Sequence, residues 1–281
     1  MSVAAASGLE RIARAFAKAK AEDRLAVVIY LTVGYPDRAS TAALLRAALD
    51  GGADVLELGV PFSDPLADGP AIQLASQAAL DQGVTLDDVY ALAKGVRARH
   101  PALPLVAMTY ANPVLARGME RFAREAKAAG IDGVIVSDLP PEERPDVWGA
   151  LSSAGLDTIP LVAPTTSEAR LPLVVGRASG FVYCLSRTGV TGDDRAFATE
   201  LGGLVARVRA LTDLPVGIGF GVSDAAKARF VAERADLVIV GAAIARRVEE
   251  ARPGGADAIV SAVGAFAREL AAAVAAVEKP A

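Results

Sequence analysis

Eight short runs of apolar, often β-branched residues recur along the chain, each separated from the next by a longer segment of helical spacing. The runs are LAVVIYLTVG from Leu25, ADVLELGV from Ala53, PLVAMTY from Pro104, DGVIVSD from Asp132, DTIPLVA from Asp157, FVYCLS from Phe181, PVGIGFG from Pro215 and ADLVIVG from Ala235. The segments between them, residues 39–50, 118–129, 142–153 and 223–233 among others, are Ala-rich with one polar face. They are long enough to return the chain between parallel strands. Near-continuous apolar character within each run predicts strands covered on both faces. Eight such units can close, so the pattern predicts an α/β fold, a (β/α)₈ TIM barrel, with residues 1–281 forming a single domain. The competing arrangement, an open doubly wound sheet, uses fewer strands and a Gly-rich turn after the first, where this chain has GYPD. Outside the repeat, Leu9, Ile12 and Phe16 share one helical face, and Ile259, Val263, Phe266, Leu270, Val274 and Val277 share another. Both segments predict extra amphipathic helices, N-terminal and C-terminal, docked on the barrel.

Composition narrows the function classes. Hydrophobic residues make up 53% of the chain, yet charged residues recur throughout and no apolar stretch reaches the roughly 20 residues of a membrane span. The opening MSVAAASGLERIARAF interleaves acidic and basic residues and does not resemble a secretory signal, so a soluble, cytoplasmic protein is expected. One cysteine, Cys184, excludes an internal disulfide and reads as core packing. A formal net charge of −4 without a basic block argues against nucleic acid as a partner.

The segment ADVLELGVPFSDPLADGPAIQ, residues 53–73, carries the chemistry. Alternation along a strand points Val55, Glu57 and Gly59 one way and Leu56, Leu58 and Val60 the other. If the leucines face the helices, Glu57 faces the barrel interior, where desolvation raises its pKa toward the range useful for accepting and giving a proton. The plainer alternative is a structural glutamate bonded to backbone or to a neighbouring Lys or Arg. Asp64 and Asp68 follow in the loop after this strand, at the end where barrel enzymes place their chemistry. Proton transfer suits these carboxylates; an Mg²⁺ site is the alternative, although the one histidine, His100, precedes the third strand at the opposite end. Gly217, Gly219 and Gly221 surround Phe220 at the end of the seventh run, and Gly241 ends the eighth just before a helical stretch. This is the usual position of a phosphate site in such barrels. The polar stretch LSRTGVTGDDR, residues 185–195, has the composition of a lid over the barrel mouth or of an ordinary surface loop.

The stretch LELGVPFSDPLADGP closely resembles the signature of the tryptophan synthase alpha chain family. YLTVGYPD, MTYANPVL, VIVSDLPPEE, YCLSRTGVTG and GIGFGVS resemble further family segments in the same order, over nearly the whole chain. The resemblance implies a carbon–carbon lyase that splits indole-3-glycerol phosphate into indole and D-glyceraldehyde 3-phosphate by a retro-aldol step in tryptophan biosynthesis. Glu57 would then be the catalytic acid/base, taking the proton from the glycerol 3′-hydroxyl and delivering one to C3 of the ring. Asp68 would hold the indole N–H. Phosphate-binding positions would be Gly192, Gly219, Phe220, Gly221, Gly241 and Ala242, the last in place of an expected serine. The indole pocket would comprise Tyr30, Met108, Ile135, Ser137 and Tyr183, with Thr191 in the lid closing against Asp68. Family members join a pyridoxal-phosphate β subunit in an αββα heterotetramer and pass indole to it. Asp64, Pro65, Asn112 and Pro140 match interface positions, and the cofactor belongs to the partner, with no cofactor and no metal in this chain. A free-standing lyase and a catalytically silent regulatory subunit are the competing roles. A Schiff-base aldolase needs a strand lysine, and the eight runs contain none.

Overall fold

The computed structural model describes residues 8–185, 194–219, 221–275 and 277. Its strands are β1 (Ala26–Thr32), β2 (Val55–Gly59), β3 (Leu105–Thr109), β4 (Gly133–Val136), β5 (Asp157–Thr158), β6 (Leu161–Val162), β7 (Val182–Leu185), β8 (Val216–Gly219) and β9 (Leu237–Val240). All pair in parallel, in the order β5-β4-β3-β2-β1-β9-β8-β7-β6. The two ends of that order, β5 and β6, are halves of the single run DTIPLV, so the sheet closes on itself through Ile159 and Pro160. Pro160 has no N–H to give a ladder, which divides the run. On one side Ile159 N–H donates to Val134 O at 3.1 Å, and on the other Tyr183 N–H donates to Pro160 O at 3.2 Å. The eight runs read from the sequence thus make a closed (β/α)₈ barrel with one broken strand.

Period-two alternation sorts the strand side chains into two layers. Val27, Ile29, Leu31, Leu56, Leu58, Leu105, Ala107, Val134, Cys184 and Ile218 face outward into the layer shared with the surrounding helices. Val28, Tyr30, Val55, Val106, Met108, Ile135, Ile159, Tyr183, Leu237 and Ile239 fill the interior. Cys184 is a buried free thiol in the outer layer.

The N-terminal helix Gly8–Ala21 contributes Ile12 and Phe16 to the interior cluster rather than to the helix layer. Phe16 meets Phe181 edge-on, with ring centroids 5.6 Å apart, so this helix closes the N-terminal end of the barrel. Leu9, expected on the same face, has a side chain outside the described residues. At the other end of the chain, Ile259, Val263, Phe266, Leu270 and Val274 are buried, as the periodicity predicts, and Val277 packs beside them. Contrary to the expectation that no apolar stretch is long enough to span a membrane, Ala242–Ala275 is long and apolar enough by length and composition alone. Alanine supplies much of that apolar character. The stretch is two helices, Ala242–Ala251 and Gly255–Ala275, broken by the 3₁₀ turn Arg252–Gly254, and its apolar face packs on helices Thr41–Asp50 and Ala225–Ala232.

Candidate active site

A cavity of about 330 Å³ opens at the C-terminal ends of the strands, the end where barrels of this kind place their chemistry. Glu57 from β2, Tyr30 from β1, Met108 from β3, Tyr183 from β7 and Ile239 from β9 rise into it from the interior layer. Asp68, Gly69 and Pro70 enter from the loop after β2, and Ile72 from the helix Pro70–Asp81 that follows.

Glu57 is 1% exposed, and neither carboxylate oxygen has a hydrogen-bond partner among the described residues. The structural alternative, a glutamate held by backbone or by a basic neighbour, therefore finds no support. Burial pushes its pKa up to about 8, and the nearby charge of Asp68 adds to the rise. Asp68 is only partly buried. Its pKa is also raised by desolvation, while a hydrogen bond from Tyr110 opposes the shift. That bond runs from Tyr110 Oη to Asp68 Oδ2 at 2.7 Å, and the same phenol oxygen accepts the Ala67 N–H at 3.2 Å. Tyr110 thus fixes the loop that carries Asp68. Asp64, by contrast, is exposed on the rim. Among the described residues, no group of three His, Cys, Asp or Glu side chains converges as a metal site.

The two tyrosine rings owe their places to glycines on the neighbouring strands. A Cβ at Gly59 would overlap the Tyr30 hydroxyl, and a Cβ at Gly219 would overlap that of Tyr183. The rings fill the volume left vacant. Both rings line the cavity together with Glu57, and burial raises the pKa of both phenols, which stay neutral.

Across the mouth from β2, the segments after β8 and β9 bring Gly221, Val222, Ser223 and Lys227 together with Gly241, Ala242 and Arg246. Gly221 has φ +80°, a conformation that disfavours any side chain. The helix Ala242–Ala251 starts at Gly241 with no side-chain cap, so its first N–H groups are open to an anion. The helix Ala225–Ala232 differs: Asp224 caps it, accepting the Lys227 N–H at 2.9 Å.

Of the sequence-predicted residues, the structure gathers Glu57, Asp68, Tyr30, Met108, Tyr183, Gly221, Gly241 and Ala242 around this one cavity. Gly219 lies beneath it, under Tyr183. Ile135 and Ser137 do not line it. Ile135 pairs in register with Met108 but is fully enclosed in the interior layer, whereas the longer Met108 reaches the cavity. Ser137 is half-buried just beyond β4, its N–H donating to Thr109 O. Thr191, Gly192 and Phe220 lie outside the described residues. Asp64, Pro65 and Pro140 sit on the loops after β2 and β4, and Asn112 in the first turn of the helix Ala111–Arg117 after β3; Leu66, which follows Pro65, is 91% exposed. Sequence reasoning missed Tyr110, Ile72, Ile239, Ser223, Lys227 and Arg246. Arg246 is four residues after Ala242 on one helix, a spacing that places both on one face.

The family profile described as tryptophan synthase alpha chain matches residues 16–275. The chain belongs to the tryptophan synthase alpha chain family. It is 45% identical over 273 residues to the tryptophan synthase alpha chain of Burkholderia pseudomallei strain 1106a, covering 97% of this chain and all of that one. Identity to the alpha chain of Zymomonas mobilis is 44% over 243 residues, 86% of this chain and 89% of that one. The fold is shared with solved structures. Tryptophan synthase subunit alpha from Legionella pneumophila superposes with a TM-score of 0.86 at 36% identity, over 94% of this chain and 98% of that one. Tryptophan synthase from M. tuberculosis, in an aminoacrylate-bound form, gives 0.83 at 38% identity over 94% and 99%. The tryptophan synthase alpha chain signature recognised in the sequence, LELGVPFSDPLADGP, is the segment that carries Glu57 and Asp68 into the cavity.

Proposed function

We propose that this chain is the α subunit of a tryptophan synthase and cleaves indole-3-glycerol phosphate to indole and D-glyceraldehyde 3-phosphate. The observation that carries the reading is Glu57, a buried carboxyl without a hydrogen-bond partner among the described residues, in one cavity with Asp68 and two tyrosine rings. Its protonated form at neutral pH suits the first step, delivery of a proton to C3 of the indole ring. That step leaves positive charge at the ring nitrogen, where the Asp68 carboxylate accepts the N–H and stabilises it. Glu57, now a carboxylate, takes the proton of the 3′-hydroxyl as the bond from C3 to C3′ breaks. The bonding pair returns to the ring, restoring indole, and the carbonyl of glyceraldehyde phosphate forms. Glu57 ends protonated, as it began. The phosphate is held by the amides that follow β8 and β9, with Gly192, Gly219, Phe220, Gly221, Gly241 and Ala242 as its family positions; Ala242 contributes its backbone alone. Tyr30, Met108 and Tyr183 form the indole side of the site and Thr191 belongs to the lid, while Ile135 and Ser137, the other two family positions, stand outside the cavity lining.

The partner is a β subunit carrying pyridoxal phosphate, in an αββα assembly in the cytoplasm. Asp64, Pro65, Asn112 and Pro140 face it from the rim of the single barrel domain, and this chain holds no cofactor of its own. The test is indole release from indole-3-glycerol phosphate by the purified chain, alone and with a tryptophan synthase β subunit. Slow release that rises sharply with β and falls at least about 10²-fold in Glu57→Gln supports the reading. Fast release without β points to a free-standing lyase, and no release under either condition, from a folded protein, refutes it.

A further inference from the structure

The phosphate end of the cavity contains two cations that neither the amide cradle nor the family pattern requires. Lys227 and Arg246 both line it, on the helices that follow β8 and β9, beside Ser223, Gly221, Gly241 and Ala242. Lys227 Nζ donates to Ser223 Oγ at 3.0 Å, which turns the ammonium toward the loop carrying Gly221. Asp224 is the nearest competing anion; its carboxylate is engaged by the Lys227 and Ser223 donors of its own turn. Arg246 sits one helical turn beyond Ala242, over the uncapped helix start at Gly241. Among the described residues, no carboxylate forms an ion pair with either cation, although Arg247 and Arg252, on or just after the same helix, each have one. What sets these two apart from other cations without an ion pair is their place: both line the cavity beside an uncapped helix start, where an anion arriving with the substrate would lie.

We infer that Lys227 and Arg246 are specificity-determining residues that clamp the phosphate dianion from two sides and replace, with charge, the hydroxyl donor that Ala242 lacks. The inference rests on the proposed function and adds to it the source of charge selectivity. An amide cradle with a helix N-terminus is a partial charge, whereas two full cations favour a dianion over a neutral group and resist a phosphate-free analogue. Arg246 also has the planar fork that binds two phosphate oxygens at once, which a lysine there would lack. Because both side chains are exposed, salt screens part of the effect.

The experiment compares competitive inhibition by indole-3-propanol phosphate and by neutral indole-3-propanol in wild type, Lys227→Gln, Arg246→Gln and the double variant. The phosphate analogue should weaken about 5-fold in each single variant and about 20-fold or more in the double, in low salt. The loss should shrink at high ionic strength. The neutral analogue should bind each variant as it binds wild type, which also reports an intact cavity, and Arg246→Lys should recover part of the loss. KM for the substrate should rise more than kcat falls. A double variant that keeps wild-type affinity for the phosphate analogue overturns the inference and leaves the lyase reading standing, as does an equal loss for both analogues. A wild-type chain that binds neither analogue and releases no indole overturns both.

Discussion

At the N-terminal end of the barrel, Asp132 is completely buried and both its oxygens are engaged. Oδ1 accepts from Arg11 at 2.6 Å, and Oδ2 accepts from Arg97 at 2.7 Å and from the Leu105 N–H at 2.9 Å. At the C-terminal end Glu57 is just as deeply enclosed and accepts nothing from the described residues. The contrast extends to neighbours. Asp54 takes both oxygens' worth of Arg24 and the Val27 N–H, and Asp236 takes Arg209 and the Val216 N–H. Each of these aspartates stands immediately before a strand and ties down an N–H in the first two residues of the strand beside it. Asp157 departs from the rule: it is buried next to Asp132 with Oδ2 unpartnered, and desolvation pushes its pKa up to about 6. Asp54, Asp132 and Asp236 at the closed end hold strands in register, while Glu57 at the open end is left desolvated and free to exchange a proton.

The sharpest way to break this comparison is to remove a carboxylate from each end and ask what is lost. Asp132→Ala strands Arg11 and leaves the Leu105 N–H without its acceptor; breaking a buried pair of this kind costs about 3 kcal/mol. Urea denaturation should show that loss, with the folded fraction still releasing indole at close to the parent rate. A variant as stable as the parent would mean that the closed-end network contributes nothing.

Glu57→Gln should do the opposite, abolishing activity while stabilising the fold. Glu57 keeps its proton in the folded state up to about pH 8, whereas the unfolded chain releases it near 4.5, the ordinary value for a glutamate. Between those two pH values the unfolded state binds fewer protons, so the parent loses stability as pH rises, on the order of a few kcal/mol by pH 8. Glutamine does not titrate. The stability difference between variant and parent should therefore be small at pH 5 and grow toward pH 8, and a difference independent of pH would show that Glu57 ionises as freely as a surface carboxylate.

Much of this division was legible in the sequence, because both layers follow from period two. The leucines of ADVLELGV face the helices, and that alone sends Glu57 inward. The aspartate before each of three strands, in ADV, IDG and ADL, is equally visible as a pattern. Its partners are not, since Arg11 and Asp132 are 121 residues apart. The same limit hid Tyr110, which lies within a recognised segment but takes its role from a loop 42 residues earlier. Ile135 and Met108 look alike as apolar strand residues, and only the reach of each side chain in the barrel separates the enclosed one from the one that lines the cavity. Lys227 and Arg246 are ordinary solvated cations by sequence, and only closure of the barrel brings the segments after β8 and β9 together.

A smaller and finer test concerns how the open end keeps one of its carboxylates charged without quenching it. Arginine would hold Asp68 firmly ionised, as at the closed end, but would also neutralise the field needed to stabilise a cationic ring. Tyr110 is a neutral donor: it favours the charged form of Asp68 by a 2.7 Å hydrogen bond and adds no opposing charge. Tyr110→Phe removes that bond, and with it the opposition to desolvation, so the pKa of Asp68 should climb further. Activity that needs Asp68 ionised then fades earlier as pH falls, moving the acidic limb of kcat/KM to higher pH. The limb near pH 8, set by Glu57, should stay where it is, because burial dominates that shift. At the optimum the rate should drop about 10-fold, the scale of one hydrogen bond to a charged group. An acidic limb that does not move in Tyr110→Phe would mean that the phenol only braces the loop, and that the open end keeps Asp68 charged by solvent alone.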